Sequence, residues 1–262
     1  MSQSAASAAL QNLEQAYNIS LFNRVGKKLE LNEVGKTLRS KAVLLFDHAL
    51  EFEQALQGHS DIGHLKVGAS FTIGNHLAVT YLAGYLTDHP EAKVDINVAN
   101  SADIVAQVLN FEVDIGMIEG EVQDKALELI PWREDRLVVF CSPEHPLAKK
   151  KNLSDNDIKQ ANWILREPES GARQTFARAM TGLMPDIDIY LEFKHNEAIK
   201  KAVEAGLGIG CLSEIVLQNN FKTGDLVPLN LPKRDMKRTF YFALPKKRYK
   251  TAAIDWWIAG CN

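Results

Sequence analysis

The chain has 262 residues, with 30 lysines and arginines against 33 aspartates and glutamates, and 46% of its residues are apolar. A charged fraction of 24% among apolar residues spread along the chain excludes an intrinsically disordered protein and predicts one large or two to three small domains with buried cores. The net charge of −3 is too small to attract nucleic acid or membrane through the chain as a whole, so DNA binding requires a local basic element.

The three cysteines, Cys141, Cys211 and Cys261, lie far apart and form no C-x-x-C pair. This number and spacing predict reduced thiols, and neither a disulfide framework nor a zinc site. No stretch reaches the roughly 18 apolar residues that span a bilayer, and the N-terminal residues lack the basic and apolar regions of a signal peptide. We therefore expect a soluble cytoplasmic protein without membrane contact, metal or cofactor.

Residues 4–17 predict an amphipathic helix, because Ala6, Leu10, Leu13 and Tyr17 recur at intervals of three and four. The polar face of this N-terminal segment carries short side chains of the kind that contact base edges and phosphates in a DNA major groove. These candidate DNA-binding residues are Ser2, Gln3, Ser4, Ser7 and Gln11. A solvated helix face is the alternative interpretation.

A hairpin is predicted next, because two short apolar runs flank Gly26, and glycine readily takes the positive φ of a tight turn. Three basic residues surround the tip, Arg24, Lys27 and Lys28. A basic hairpin beside a helix is typical of a winged helix-turn-helix, in which the tip contacts the DNA backbone. The alternative is a basic tip that is only solvated.

A long helix is predicted over residues 33–58, after Asn32 as N-cap. Leu38, Leu45 and Phe52 are spaced by seven, and a second seven-spaced apolar row lies beside them. This pattern predicts a coiled-coil seam of about three heptads. A helix packed on its own domain is the alternative, but the polar segment that follows favours a protruding dimerisation helix.

That polar segment, residues 59–63, is predicted to be a hinge, and strands alternate with helices after it. Two α/β lobes are predicted, with parallel strands and right-handed crossovers. Among their elements, residues 75–88 predict a helix, and DRLVVFCS, residues 135–142, predicts a strand. Residues 64–134 form the first lobe, which residues 238–262 return to complete, and residues 135–237 form the second.

Polar side chains follow the predicted strands of both lobes at their carboxyl ends, where open α/β sheets bind ligands. They are Ser70, Thr72, Asn100, Ser101, Glu119, Arg166, Ser170, Gly171, Arg173, His195 and Asn196. Residues 170–173 are predicted to begin a helix, whose N–H groups and dipole favour an anion. Ordinary helix capping beside a surface arginine is the alternative.

No enzyme is indicated by the sequence. It lacks the G-x-S-x-G, Walker and H-E-x-x-H motifs, and no cysteine or histidine has the context of a nucleophile. The glycines of residues 205–210 follow a predicted helix and open a strand, which is the reverse of a dinucleotide-binding fingerprint. Helix C-capping explains them better.

Together these segments resemble the LysR-type transcriptional regulators over essentially the whole chain. The stretch SQSAASAALQNLE resembles that family's recognition helix, and LFNRVGKKLELNEVGK resembles its wing and the start of its linker helix. Five further segments resemble its effector domain: GASFTIGN, NSADI, VDIGMIEG, WILREPESGARQTF and NEAIKKAVEAGLGIGCLSE. TIGN, IEG and WILRE are most similar to the YeiE-like branch, whose ligand class is a small sulfur oxyanion.

The resemblance implies a two-lobed, periplasmic-binding-protein-like effector domain preceded by a partial winged helix-turn-helix (residues 1–32) and a linker helix. The implied partners are promoter DNA, a small anionic effector, and further copies of the chain in a homodimer or homotetramer. A sulfur oxyanion is the first choice of effector, and an amino-acid-like or other organic acid is the alternative.

Two departures from the family pattern qualify these expectations. The family places two helices, about thirty residues, before the recognition helix, whereas here Met1 stands immediately before it, so we expect weak DNA binding by this chain. Ala172 stands where the family often has threonine, which removes one hydroxyl from the expected anion site. Two other functions remain as alternatives: a cytosolic small-molecule-binding protein that does not bind DNA, and a cleft enzyme.

Overall fold

The computed structural model describes residues 2–26, 28–56, 64–120, 122–246 and 250–261. The chain forms two compact units, an N-terminal unit that ends at Asp61 and a larger unit that begins at Ile62. The predicted hinge at residues 59–63 lies outside the described residues. Within the described ranges, no helix has the length and apolar character needed to cross a membrane.

The N-terminal unit contains two helices with a hairpin between them. In chain order its elements are α1 (Gln3–Tyr17), β1 (Phe22–Val25), β2 (Lys28–Leu31) and α2 (Glu33–Leu56). Ser2 caps α1 by accepting from the Ala5 N–H, and the helix ends at Asn18, which takes a left-handed conformation with φ of 50°. Gly26 turns the hairpin with φ of 62°, as its position in the sequence predicts.

Side-chain hydrogen bonds hold the hairpin to both helices. Glu14 Oε1 accepts from the Leu21 N–H at 2.6 Å. Asn32 Oδ1 accepts from the Gly35 N–H at 2.8 Å, and Asn32 Nδ2 donates to the Ser20 carbonyl at 2.7 Å. The predicted N-cap of the long helix is therefore confirmed, and the same side chain ties that helix to the strand before it.

The larger unit is built on one mixed sheet covered by helices. Its strands are β3 (His64–Ser70), β4 (Lys93–Ala99), β5 (Ile115–Glu119), β6 (Leu127–Cys141), β7 (Asn162–Arg166), β8 (Asp188–Phe193), β9 (Ile209–Ser213), β10 (Val227–Leu229) and β11 (Lys237–Pro245). Its helices are α3 (Phe71–His76), α4 (Ala78–Asp88), α5 (Ser101–Leu109), α6 (Asp155–Gln160), α7 (Gly171–Ala179), α8 (Asn196–Glu204), α9 (Glu214–Thr223) and α10 (Ala252–Gly260).

The sheet order is β4-β3-β5-β11-β6-β9-β7-β8, with β10 paired to β6. In the first lobe β3 pairs in parallel with β4 and β5, and in the second β7 pairs in parallel with β8 and β9. Strands β6 and β11, the crossover strands, are antiparallel partners that join the lobes. Residues 127–136 of β6 pair with β11, and residues 137–141 pair with β9 or β10.

Two elements differ from their predicted extents. Strand β6 begins at Leu127, not near residue 135, and it contains Pro131, which lacks an N–H and discourages a strand assignment. The ladder accommodates this residue with a register shift between Phe240 and Tyr241. The single helix predicted over residues 75–88 is two helices that meet at Leu77.

Each lobe has its own aromatic core. In the first lobe Trp257, Phe240 and Phe242 are at most 1% exposed. In the second lobe Trp163 packs against Phe176 with ring centroids 4.7 Å apart, and both are at most 1% exposed. The two cores support the strand ends on which the candidate ligand-binding residues lie.

Candidate functional site

The Glu119 carboxylate is the centre of the first lobe's polar strand ends. Glu119 ends β5, and its Oε1 accepts from Ser70 Oγ at 2.7 Å and from the Thr72 N–H at 3.0 Å. Its Oε2 lies 2.6 Å from Arg238 Nη1, and both side chains are at most 3% exposed. Ser70 and Thr72 therefore point their donors at a carboxylate of the protein itself.

Glu119 is ionised despite its burial. Burial opposes the charged form, but the Arg238 charge and the hydrogen bonds from Ser70 and Thr72 outweigh it and lower the pKa of Glu119. Ser101 lies beside this carboxylate, with its Oγ 3.3 Å from both the backbone nitrogen and the carbonyl oxygen of Glu119. Four of the predicted site residues are thus brought together.

Arg238 is the functional residue that sequence reasoning missed. Its Nε donates to Asp135 Oδ2 at 2.7 Å, and Ser213 Oγ donates to Asp135 Oδ1 at 2.8 Å. The direct ion pair to Glu119 comes from Arg238 on crossover strand β11, and the Arg166 charge further lowers the pKa of Glu119. A signal was present, because Arg238 alternates with the buried Phe240 and Phe242 and must share their face of the strand.

The second lobe contributes a separate polar cluster around Arg166 at the end of β7. Arg166 binds Glu167 through two hydrogen bonds of 2.8 and 2.9 Å, and its Nη1 donates to Asn196 Oδ1 at 3.0 Å. All three residues are at most 5% exposed. Asn196 Nδ2 is buried and has no hydrogen-bond partner among the described residues, so this cluster holds an unused donor.

The two lobes meet at Phe71 and at Gly171. The Phe71 ring lies 4.9 Å from the Arg166 guanidinium carbon and 5.1 Å from the His195 ring. A Cβ added to Gly171, the first residue of α7, would lie 2.1 Å from the Glu119 carbonyl oxygen. Only glycine permits this approach of α7 to the end of β5.

Three further predicted residues have structural partners in the fold. Asn100 Oδ1 caps α5 by accepting from the Asp103 N–H at 2.8 Å, and Ser170 Oγ caps α7 by accepting from the Arg173 N–H at 3.0 Å. Arg173 Nη1 donates to the Arg166 carbonyl at 2.8 Å and to Glu192 at 3.0 Å. The capping alternative therefore describes Asn100 and Ser170 well, and ligand contact by all three residues stays a prediction.

The N-terminal unit presents the candidate DNA-binding residues at its surface. The side chains of Gln3, Ser7 and Gln11 are exposed, whereas the Ser2 and Ser4 hydroxyls lie 3.0 Å apart and bond to each other. Arg24 and Lys28 are exposed on the hairpin, and Lys27 lies outside the described residues. DNA contact by these side chains stays a prediction.

The three thiols lie in apolar surroundings. Burial raises the pKa of Cys141 to about 11 and the pKa of Cys211 and Cys261 to about 12. All three are protonated at neutral pH and are poor nucleophiles. In the described part of the chain, no three or more His, Cys, Asp or Glu side chains cluster as metal ligands would.

Family models match both units. Residues 58–261 match the LysR substrate binding domain, and residues 1–36 match the bacterial regulatory helix-turn-helix protein of the lysR family. The chain belongs to the LysR family of transcriptional regulators. Members of this family bind DNA through the helix-turn-helix and small-molecule effectors through the two-lobed domain. The function of the family is transcriptional regulation.

Two curated relatives of this LysR-type regulator cover most of its length. It is 37% identical to the HTH-type transcriptional regulator YeiE of Escherichia coli, over 100% of this chain and 88% of the relative. It is 30% identical to the HTH-type transcriptional regulator CysL of Bacillus subtilis, over 91% of this chain and 80% of that one. The similarity to YeiE confirms the resemblance found in the sequence.

Solved structures share the fold. The Synechocystis CcmR regulatory domain in complex with 2-PG is 26% identical, with a TM-score of 0.68, and the match covers 75% of this chain and 96% of that one. A full-length OxyR variant from Pseudomonas aeruginosa is 18% identical, with a TM-score of 0.79, over 100% of this chain and 86% of that one.

Proposed function

We propose that this LysR-type regulator is a cytoplasmic sensor of a small anion and is not an enzyme. A sulfur oxyanion is the first choice of ligand. The anion binds at the carboxyl ends of the strands, between Ser70, Thr72 and Ser101 of the first lobe and the start of α7 in the second. Its binding changes the affinity of the protein for promoter DNA.

The observation that carries this proposal is the set of buried donors that lack a protein acceptor. Asn196 Nδ2 and Arg238 Nη2 are buried without a hydrogen-bond partner among the described residues. Leaving a polar group buried and unpaired costs about 1–3 kcal/mol. A ligand with several acceptor oxygens would satisfy such donors.

The small size of a sulfur oxyanion fits a site of this kind. A ligand with few atoms buries little apolar surface, so its affinity must come from charge-assisted hydrogen bonds of about 1.5–3 kcal/mol each. Hydroxyl and amide donors supply such bonds without a full ion pair, since the buried Arg166 is already paired with Glu167. Glu119 is already paired with Arg238, which reduces its repulsion of an anion and weakens the case for an amine-bearing ligand.

Glu119 also competes with the anion. Its carboxylate accepts from Ser70 Oγ and from the Thr72 N–H, the donors that the anion would use. The anion therefore has to displace one oxygen of Glu119 from these groups, and the Arg238 guanidinium keeps the displaced carboxylate paired.

We further propose that the linker helix α2 holds a homodimer and that effector domains associate separately into a homotetramer. The seam residues Leu45 and Phe52 are 72% and 66% exposed. Apolar side chains with this exposure at seven-residue spacing support a coiled-coil partner. The proposed DNA-binding region is residues 1–32, joined through α2 to the sensor lobes.

Calorimetric titration with sulfite, sulfate, thiosulfate and a set of amino and carboxylic acids tests the effector proposal. We expect one of the sulfur oxyanions to bind most tightly. Thr72→Ala and Ser70→Ala should each raise the Kd of that oxyanion by about tenfold or more. Thr175→Ala is a matched control, because the Thr175 hydroxyl is buried but bonds within α7 to the Gly171 carbonyl. Tight binding of a neutral or cationic ligand that neither site substitution affects would refute the proposal.

A further inference from the structure

A cavity lies between the lobes, at the opposite end of α3 from the proposed effector site. It has a volume of about 470 Å³, within the range of roughly 300–1,000 Å³ typical of small-molecule sites. His76 and Leu77 line it from the first lobe, Arg133 lines it from crossover strand β6, and Lys200 and Ile215 line it from the second lobe. We name it the crossover cavity.

Positive charge dominates the polar lining of the crossover cavity. Arg133 has no ion pair among the described residues. Lys200 is 9% exposed as a whole residue, and in the described ranges it pairs with the Glu197 carboxylate at 2.6 Å, whose side chain is 66% exposed. A buried ammonium paired with a hydrated carboxylate retains most of its attraction for a second anion.

The remaining wall of the cavity combines aliphatic and amide side chains. Leu77, Ile215 and the buried Val216 line it beside the amide side chains of Gln218 and Asn219. Cations on one wall and aliphatic groups on another match a molecule with an acidic group on an apolar body. An inorganic oxyanion would leave most of the cavity empty.

We propose that the crossover cavity is a second ligand site, which takes a small organic carboxylate with an apolar body. The carboxylate binds between Lys200 and Arg133, and the body packs on Leu77 and Ile215. This site is distinct from the effector site, because Ser70 and Thr72 stand at the start of α3 and His76 stands at its end, about 9 Å from Ser70 and about 6 Å from Thr72 along the helix axis.

A ligand in this site would influence the arrangement of the two lobes, because the lining of the site comes from both lobes and from a crossover strand. A ligand that binds one interlobe arrangement more tightly than another shifts the population toward it. The organic carboxylate therefore modulates the response to the effector without contacting the effector's own donors.

His76 provides a local reporter of binding. Burial and the nearby Lys200 charge lower the pKa of His76, while Glu197 and Glu119 act in the opposite direction. Arg133 also lines the cavity and holds a positive charge. A carboxylate bound beside Lys200 offsets the cationic surroundings and raises the pKa of His76, so binding is accompanied by proton uptake in the pH range where His76 titrates.

Imidazole NMR spectra recorded during ligand titrations test the proposal on the whole protein, with His76→Gln used to assign the signal. The probes are benzoate, 3-methylbutanoate and 4-methyl-2-oxopentanoate, each beside its primary amide. We expect at least one carboxylate to bind with Kd below roughly 1 mM and to raise the pKa of His76, whereas its amide leaves the signal unchanged.

Two substitutions on α8 form a matched pair for this experiment. Lys200→Gln is expected to raise the Kd of the carboxylate by about tenfold or more. Lys201→Gln is expected to leave its affinity unchanged, because the Lys201 side chain is 75% exposed and pairs with Glu204. Arg133→Gln, at an exposed position, repeats the test if Lys200→Gln fails to fold.

Three outcomes would overturn the proposal: no probe carboxylate binds below roughly 1 mM, the amides bind as well as the acids, or the Lys200 and Arg133 substitutions have no larger effect than the Lys201 one. Thr72→Ala separates this site from the effector site. We expect it to leave carboxylate binding intact even where it removes oxyanion binding, so failure at one site is distinguishable from failure at the other.

Discussion

The N-terminal unit and the larger unit, which we call the sensor unit, differ in how far their apolar residues are buried. In the sensor unit Phe242, Trp163 and Trp257 are at most 1% exposed. In the N-terminal unit Tyr17 is 71% exposed and Phe46 is 63% exposed, and α1 contains no buried residue. The sensor lobes contain their own cores, whereas the N-terminal helices leave most of their apolar surface to be covered by other contacts.

This difference separates two kinds of stability. A unit with its own core has a free energy of unfolding of its own, to which association can only add, whereas a helix whose apolar seam is exposed gains most of its stability by association. Substitutions in the sensor lobes should therefore change the free energy of unfolding, and substitutions in α2 should change the association constant.

The largest expected loss of stability is that of Arg238→Gln. This substitution removes the partner of two buried carboxylates, Glu119 and Asp135, and breaking a buried ion pair costs about 3–5 kcal/mol. Chemical denaturation measures the effect. Arg136→Gln is the control on the neighbouring crossover strand: its side chain is 62% exposed, so its pair with Glu214 should contribute less than about 1 kcal/mol. Equal effects would contradict the role of Arg238.

A phenylalanine pair tests the same contrast for apolar residues. Phe242→Ala should lower the unfolding free energy of the sensor unit by about 3–5 kcal/mol, because its ring is 1% exposed in the core of the first lobe. Phe46→Ala on α2 should change it by less than about 0.5 kcal/mol. Denaturant titration monitored by tryptophan fluorescence measures both, and a comparable loss from Phe46→Ala would refute the contrast.

The seam of α2 is tested by adding charge to it. Replacing Leu38 and Leu45 together by lysine should raise the dissociation constant of the linker pairing by about thirtyfold or more, since ammonium groups would be desolvated in the seam. Sedimentation velocity over a range of concentrations measures it, with Leu45→Met as the control that keeps an apolar side chain. If the assembly state were unchanged, the assignment of Leu38 and Leu45 to a dimer seam would be wrong.

The acid dependence of stability is the smallest expected effect. Because the folded pKa of Glu119 is lowered, its ionised form stabilises the fold above the ordinary pKa of 4.5, and this contribution is lost as the pH falls below 4.5 through the folded value. Glu119→Gln should flatten this part of the profile of stability against pH. Thermal unfolding between about pH 5 and pH 3 measures it, and an unchanged slope would indicate that Glu119 does not titrate there.

The sequence predicted the elements that depend on local rules. The N-cap at Asn32, the turn at Gly26 and the alternation of strands with helices each follow from a residue's own preference or from periodicity. The full length of β6 could not be predicted, because Pro131 argues against a strand and only the register shift opposite it on β11 accommodates that residue.

The proximity of the candidate residues was predictable from the sequence, but the pairing of their side chains was not. The rule that ligands bind at the carboxyl ends of strands selected Glu119, Ser70 and Thr72, which the structure brings together. The partner of Glu119 comes from residue 238, far along the chain, and only the return of β11 between β5 and β6 brings the two together. Periodicity shows that Arg238 is buried, but it does not show which carboxylate it meets.

The measurement that tests the effector site most directly is the affinity of Glu119→Gln for a sulfur oxyanion, compared with wild type by calorimetry. If the anion and the Glu119 carboxylate compete for the donors of Ser70 and Thr72, removing the negative charge should tighten binding by about tenfold or more. Thiosulfate is a suitable probe because its charge is constant near neutral pH. Unchanged or weaker binding in the variant would contradict the account, because the anion would then not use the donors that Glu119 occupies.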